Sequence, residues 1–125
     1  MRILYLDDED FERELLARFA ERRGHEVIAV ATIGAANIEV GSGEFGAIVL
    51  DVHLGNGDCG ADIIPMLVKL KYGGQVFVVS GLVDQADIAT AEGLARAAGL
   101  NLRYVSKTDA HWRQELLARI EDVPS

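Results

Sequence analysis

Apolar and polar positions along the chain fall into two alternating kinds of segment. Five short runs rich in β-branched or aromatic residues, Ile3 to Leu6, Val27 to Val30, Ala47 to Leu50, Val76 to Val79 and Leu102 to Val105, are each followed by turn chemistry and read as strands. They show little polar alternation, which predicts strands covered on both faces, as in a parallel sheet between helices. Between them the apolar positions recur at helical spacing. Phe11, Leu15 and Phe19, with Leu16 beside them, make one stripe on a first helix whose other positions are charged and which ends at Gly24. Ile33 to Val40 predicts a weaker second helix, closed by Gly41-Ser42-Gly43. Ile63, Ile64, Leu67, Val68 and Leu70 predict a third, opened by Asp62, with Pro65 in its first turn and Tyr72-Gly73-Gly74 at its end. Asp84 to Ala98 predicts an Ala-rich fourth helix with Ile88, Ala91, Leu94 and Ala98 on one side, stopped by Gly99. Ala110 to Ile120 predicts a last one, with Trp112, Leu116 and Ile120 four apart and Thr108 or Asp109 as its cap.

Strand and helix alternate five times, and connections this short join parallel strands by crossovers. The expected fold is therefore an α/β, doubly wound, five-stranded parallel sheet with helices on both faces. At 125 residues, 1–125 reads as a single domain, with a core that needs no metal or disulfide support. Charge and cysteine count narrow the function. With 12 basic and 20 acidic side chains the formal net charge is −8, which argues against direct nucleic-acid binding. A single cysteine, Cys59, forms no intramolecular disulfide and no multi-cysteine zinc site, and fits a reducing, cytoplasmic setting. It reads as a small buried or loop residue. No apolar run is long enough for a membrane span.

In such a sheet ligands bind beyond the carboxyl ends of the strands. Those ends carry Asp7-Asp8-Glu9-Asp10, Asp51, Ser80-Gly81 and Ser106-Lys107. Several carboxylates, a hydroxyl and an ammonium then share one crevice. Two carboxylates about 4 Å apart repel by roughly 4 kcal/mol at an effective dielectric near 20, a cost that a hard divalent cation relieves. An all-oxygen pocket suits Mg²⁺. Asp51 could then act as a nucleophile toward a phosphoryl group, with metal and ammonium neutralising the transferring oxygens.

In this order and spacing the chain resembles the receiver domain of bacterial response regulators, the phosphoacceptor of two-component signalling, from Ile3-Leu4-Tyr5-Leu6-Asp7-Asp8-Glu9 to Tyr104-Val105-Ser106-Lys107. The resemblance implies a flavodoxin-like fold and a phosphoryl group taken onto Asp51, with Mg²⁺, from a histidine kinase or histidine phosphotransfer protein. It implies an acidic pair, Asp7 and Asp8, for the metal, with Asp8, Asp51 and the backbone carbonyl of His53 among the ligands. It also implies that Ser80 and Lys107 meet the phosphoryl group, and that Tyr104 reports activation by moving its hydroxyl from a solvent-facing to a buried position. The expected partner beyond the donor is a downstream protein target or output domain, and the resemblance allows a homodimer through the fourth and last helices. Such a chain is a cytoplasmic switch with self-directed phosphoryl transfer and autodephosphorylation rather than a metabolic enzyme. The rival readings are a degenerate receiver that only docks partners and a Mg²⁺-dependent phosphatase with an aspartyl-phosphate intermediate. Against the phosphatase, His53 stands where a second carboxylate is wanted.

Three departures from the family pattern stand out. Thr108 follows Lys107 where a proline is usual, which predicts a looser loop. Leu54-Gly55-Asn56-Gly57-Asp58-Cys59-Gly60 replaces a turn with Pro and Asp-Gly. The interval from Ser80 to Lys107, 107 − 80 = 27, is longer than is usual.

Overall fold

A computed structural model describes residues 1–52, 54, 59–81, 92–93 and 95–122. Its five strands are β1 (Arg2–Leu6), β2 (Glu26–Val30), β3 (Ala47–Asp51), β4 (Gln75–Ser80) and β5 (Asn101–Ser106), all parallel, in the order β2-β1-β3-β4-β5. Each strand reaches one or two residues beyond its apolar run, except that β3 starts where predicted. Pairing therefore continues into Asp51, Ser80 and Ser106, and Ser80 lies opposite Ser106.

Alternation along each strand sorts the interior into two cores. Ile3, Tyr5, Ala47, Val49, Phe77 and Val79 face Leu16 and Ala20 of α1 (Asp10–Arg22) and Trp112, Leu116, Leu117 and Ile120 of the C-terminal helix (Trp112–Glu121). Leu4, Leu6, Ile48, Leu50, Val76 and Val78 face Ala36 of α2 (Ile33–Ser42), Leu67 of α3 (Ile64–Lys69) and Ala95. Burying each such aliphatic side chain contributes about 1.5–3 kcal/mol before entropy is subtracted. The central strands β1, β3 and β4 are buried on both faces, apart from Arg2. The edge strands β2 and β5 are only partly covered, because an edge has one neighbour.

Several helix expectations are corrected. The buried line of α1 is Leu16 and Ala20, and Phe11 is 68% exposed, because the face turned to the sheet lies one position round from the predicted stripe. Helix α1 ends as expected at Gly24, whose φ of 84° only glycine adopts easily. Helix α2 runs on through Gly41 and Ser42 to Gly43, and its start is capped by Thr32, whose Oγ1 accepts the Ala35 N–H at 3.1 Å. A 3₁₀ turn, Gly60–Ile63, precedes α3, and Val68 and Leu70 are exposed rather than core.

Of the predicted fourth helix, 92–93 and 95–97 are helical. Ala95 is its buried residue and Ala98 is exposed, while Ile88, Ala91 and Leu94 lie outside the described residues. The C-terminal helix starts at Trp112 without a side-chain cap. Asp109 Oδ1 instead accepts the His111 N–H at 2.8 Å and closes the turn ahead of it.

Candidate functional site

Winding reverses between β1 and β3: β2 lies to one side of β1, while β3, β4 and β5 lie to the other. The site forms beyond the carboxyl ends of these two strands. Residues of odd number in β1 and β3 share a face of the sheet, so Asp7, next after Leu6, continues the line Ile3-Tyr5, and Asp51 ends the line Ala47-Val49. Asp8 follows on the β1–α1 loop. One carboxylate oxygen from each of Asp7, Asp8 and Asp51 lies within 4.8 Å of the others; Asp7 and Asp51 are buried and Asp8 is the most exposed of the three.

Lys107, next after β5, extends its ammonium into this cluster. Its Nζ donates to Asp7 Oδ2 and to Asp51 Oδ2, each at 2.9 Å. Burial works against the charge on Lys107, but its bonds to the two carboxylates outweigh burial and raise its pKa. Nζ also stands 5.2 Å from the ring centre of the buried Trp112, and the Arg113 guanidinium lies 4.7 Å from the same ring centre. Arg113 in turn pairs with Glu12, tying the C-terminal helix to α1.

Asp7 is fully buried and held from several sides. The Glu9 N–H donates to its Oδ1 at 3.0 Å, and the phenol of Tyr5 donates to its Oδ2 at 2.5 Å. Burial alone would disfavour the carboxylate. The bonds from Tyr5, Glu9 and Lys107 overcome it and hold the Asp7 carboxyl below the usual carboxylate range. Burial, with Asp7 beside it, pushes the Tyr5 phenol far up, so that it stays protonated and donates. The loop itself is fixed by Arg13, which donates to the Asp7 carbonyl at 2.8 Å and pairs with Asp10.

Ser80, buried at the end of β4, offers a carbonyl that accepts both the Lys107 N–H and the Tyr104 hydroxyl, each at 2.9 Å. Tyr104 is half-buried, and this bond holds its hydroxyl at the end of β4. Where a looser turn was expected, Thr108 is bonded twice to Ser106: the two hydroxyls lie 2.6 Å apart and the Thr108 N–H donates to Ser106 Oγ at 3.2 Å. His53 and the Gly55-Asn56-Gly57 stretch lie outside the described residues.

Three contributors were not read from the sequence as site residues. Tyr5 was seen only as part of an apolar strand, although its place two residues before Asp7 puts it on the same face. Arg13 is one of several charges on α1. Gly60 packs against the backbone of Asp51: a Cβ there would lie 1.9 Å from the Asp51 carbonyl oxygen, so no other residue fits without a shift.

The three carboxylates and Lys107 together carry a formal charge of −2 (−3 + 1 = −2), and every donor atom is oxygen. That set fits a hard divalent cation such as Mg²⁺. Bound there, the cation would be held by carboxylate oxygens of Asp7, Asp8 and Asp51 and would supply positive charge to an anion brought to the site.

No family model matches the sequence, and no curated protein matches it. Solved structures do. A CheY-like response regulator receiver domain protein from Methanospirillum hungatei is 23% identical, covers 97% of this chain and 90% of its own, and superposes with a TM-score of 0.78. The response regulator TrrA from Thermotoga maritima, in complex with Mg²⁺ and BeF, is 22% identical over 95% of this chain and 97% of its own, TM-score 0.74. A Burkholderia pseudomallei response regulator with a phosphorylated aspartic acid and a calcium ion is 26% identical over 98% of this chain and 75% of its own, TM-score 0.71. By these likenesses the chain resembles response regulator receiver domains and has their fold.

Proposed function

We propose that the chain is a phosphoacceptor that takes a phosphoryl group onto Asp51 and passes on a change of conformation. The observation that carries the reading is the joint placement of Asp7, Asp8, Asp51 and Lys107, with Nζ 2.9 Å from Asp51 Oδ2 and an all-oxygen cluster beside it. A carboxylate nucleophile in such surroundings attacks the phosphorus of a phosphohistidine. The P–N bond breaks, the imidazole leaves with its electron pair and picks up a proton, and Asp51 becomes an acyl phosphate. Lys107 meets the new charge on the phosphoryl oxygens without moving far. The donor is a histidine kinase or a histidine phosphotransfer protein, and Mg²⁺ is the cation.

Relay to a partner follows from the Ser80 carbonyl. It is bonded at once to the Lys107 N–H and to the Tyr104 hydroxyl, so a shift of Ser80 toward the phosphoryl group moves both. The bound phosphoryl shifts this element by its differential affinity for the two arrangements. The output is a downstream target protein or output domain that reads the altered face around β5.

Intact-mass spectrometry after incubation with phosphoramidate and Mg²⁺ tests the reading. One added phosphoryl group in the wild type and none in Asp51→Asn supports it. No gain in the wild type from phosphoramidate or acetyl phosphate rejects it in favour of a docking module.

A further inference from the structure

The hydrogen bonds on Asp7 are more numerous than a metal-binding aspartate needs. A carboxylate offers roughly four lone-pair sites. On Asp7 one is taken on Oδ1 by the Glu9 N–H and two on Oδ2, by the Tyr5 hydroxyl at 2.5 Å and by Lys107 Nζ at 2.9 Å. The Tyr5 contact has the length of a charge-assisted O–H···O⁻ bond, and both partners are fully buried, so water does not compete for it. Nothing about strand β1 requires a hydroxyl there. The ring fills the core between α1 and the C-terminal helix, and phenylalanine would fill the same space.

We propose that Tyr5 is a positioning residue of the acidic pocket: its hydroxyl occupies Asp7 Oδ2 beside Lys107 and so keeps the affinity for a divalent cation low. The inference rests on the proposed cation site and goes beyond it, because it assigns a residue from the apolar interior to the tuning of that site. Its physical basis is competition for one oxygen. With the phenol present, the cation meets an Asp7 whose charge is already shared among three protein donors. With the phenol removed, Oδ2 regains a lone pair and the carboxylate a larger share of its charge, both directed at the nearest cations. Lys107, already in contact, takes part of the gain, and the incoming divalent ion, with twice the charge, takes the larger part.

The test is a Mg²⁺ titration read by the rise in melting temperature, with Mg²⁺ alone as the probe, on wild type, Tyr5→Phe, Asp7→Asn and the double variant. Tyr5→Phe is expected to bind Mg²⁺ about three- to tenfold more tightly, part of the roughly tenfold or more that a charge-assisted hydrogen bond represents. In the Asp7→Asn background the same substitution is expected to change the affinity by less than about twofold, since the hydroxyl then has no carboxylate to compete for. Simple damage to the core moves affinity the other way and does so in both backgrounds. Equal or weaker Mg²⁺ binding in Tyr5→Phe, or the same change with and without Asp7, overturns the role of Tyr5 and leaves the cation site standing. A wild type that shows no response to Mg²⁺ overturns both.

Discussion

Replacing Lys107 with methionine keeps the length and bulk of the side chain while removing a charge that bridges Asp7 and Asp51. In the folded protein this leaves two buried carboxylates whose oxygens lie no more than 4.8 Å apart. At an effective dielectric near 20, two unit charges at that separation repel by about 3.5 kcal/mol. Removing one partner of a buried ion pair generally costs about 3–5 kcal/mol, which agrees. A domain of this size has about twice that in total stability, so the loss will be plain. Urea unfolding at pH 7 in EDTA, followed by the fluorescence of the single tryptophan, Trp112, measures it. Lys107→Met is expected to be about 3–5 kcal/mol less stable than wild type and to regain more on adding Mg²⁺ than wild type does. The pH dependence has a definite sign. Asp7 is held below its ordinary value, so the stability it contributes is present above about pH 4 and is lost as pH falls through its folded value. The Lys107 contribution, from a raised pKa, is present below the ordinary lysine value near 10.5 and is lost as pH climbs through the folded one. The gap between variant and wild type should therefore narrow in acid, where the carboxylates are protonated in both. A variant within about 1 kcal/mol of wild type in EDTA at pH 7 refutes the claim that Lys107 holds this cluster together.

Asp8→Asn removes one of three clustered carboxylates and should be about 0.5–1 kcal/mol more stable than wild type in EDTA, while losing its melting-temperature response to Mg²⁺; calorimetry with and without the metal checks both. Gly60→Ala drives a methyl into the Asp51 carbonyl and should cost roughly 1–3 kcal/mol in urea unfolding, together with slower phosphorylation from phosphoramidate, whereas Gly34→Ala, with open space around it, should cost nothing and check the assay. Glu121, bonded to Arg23 and His25, has its pKa lowered to about 2, so its contribution is present above the ordinary glutamate value near 4.5 and fades as pH falls toward about 2; a carboxyl ¹³C titration should show this in wild type and a return toward the ordinary value in Arg23→Ala.

What could be read from sequence divides along a physical line. Central strands were legible because burial on both faces forces unbroken runs such as Ile48-Val49-Leu50 and Val76-Phe77-Val78-Val79, and runs of that kind are short and bounded. Once the strands are placed, topology alone sends Asp7, Asp51, Ser80 and Lys107 to one end of the sheet. Features set by tertiary contact were not legible. The helix stripe through Phe11 was displaced because α1 must turn Leu16 and Ala20 to the sheet, and spacing by four does not say which of two adjacent lines goes inward. Gln75 interrupts an apolar reading of β4, yet it is buried because its amide donates to the Ile120 carbonyl at 3.0 Å, a partner 45 residues away. Tyr5 looks like any strand aromatic until the atom beyond its ring is located. The 3₁₀ turn before α3 begins at Gly60, whose close approach to the Asp51 backbone is a tertiary constraint that local propensity does not encode.

The central claim is that Asp51 carries the phosphoryl group. Reducing the protein with borohydride after incubation with phosphoramidate and Mg²⁺ converts an aspartyl phosphate to homoserine, and peptide sequencing by mass spectrometry then locates it. Homoserine at position 51, dependent on Mg²⁺ and absent without the phosphoryl donor, is the predicted result. Homoserine at another aspartate, or a modified protein with residue 51 still aspartate, contradicts the account.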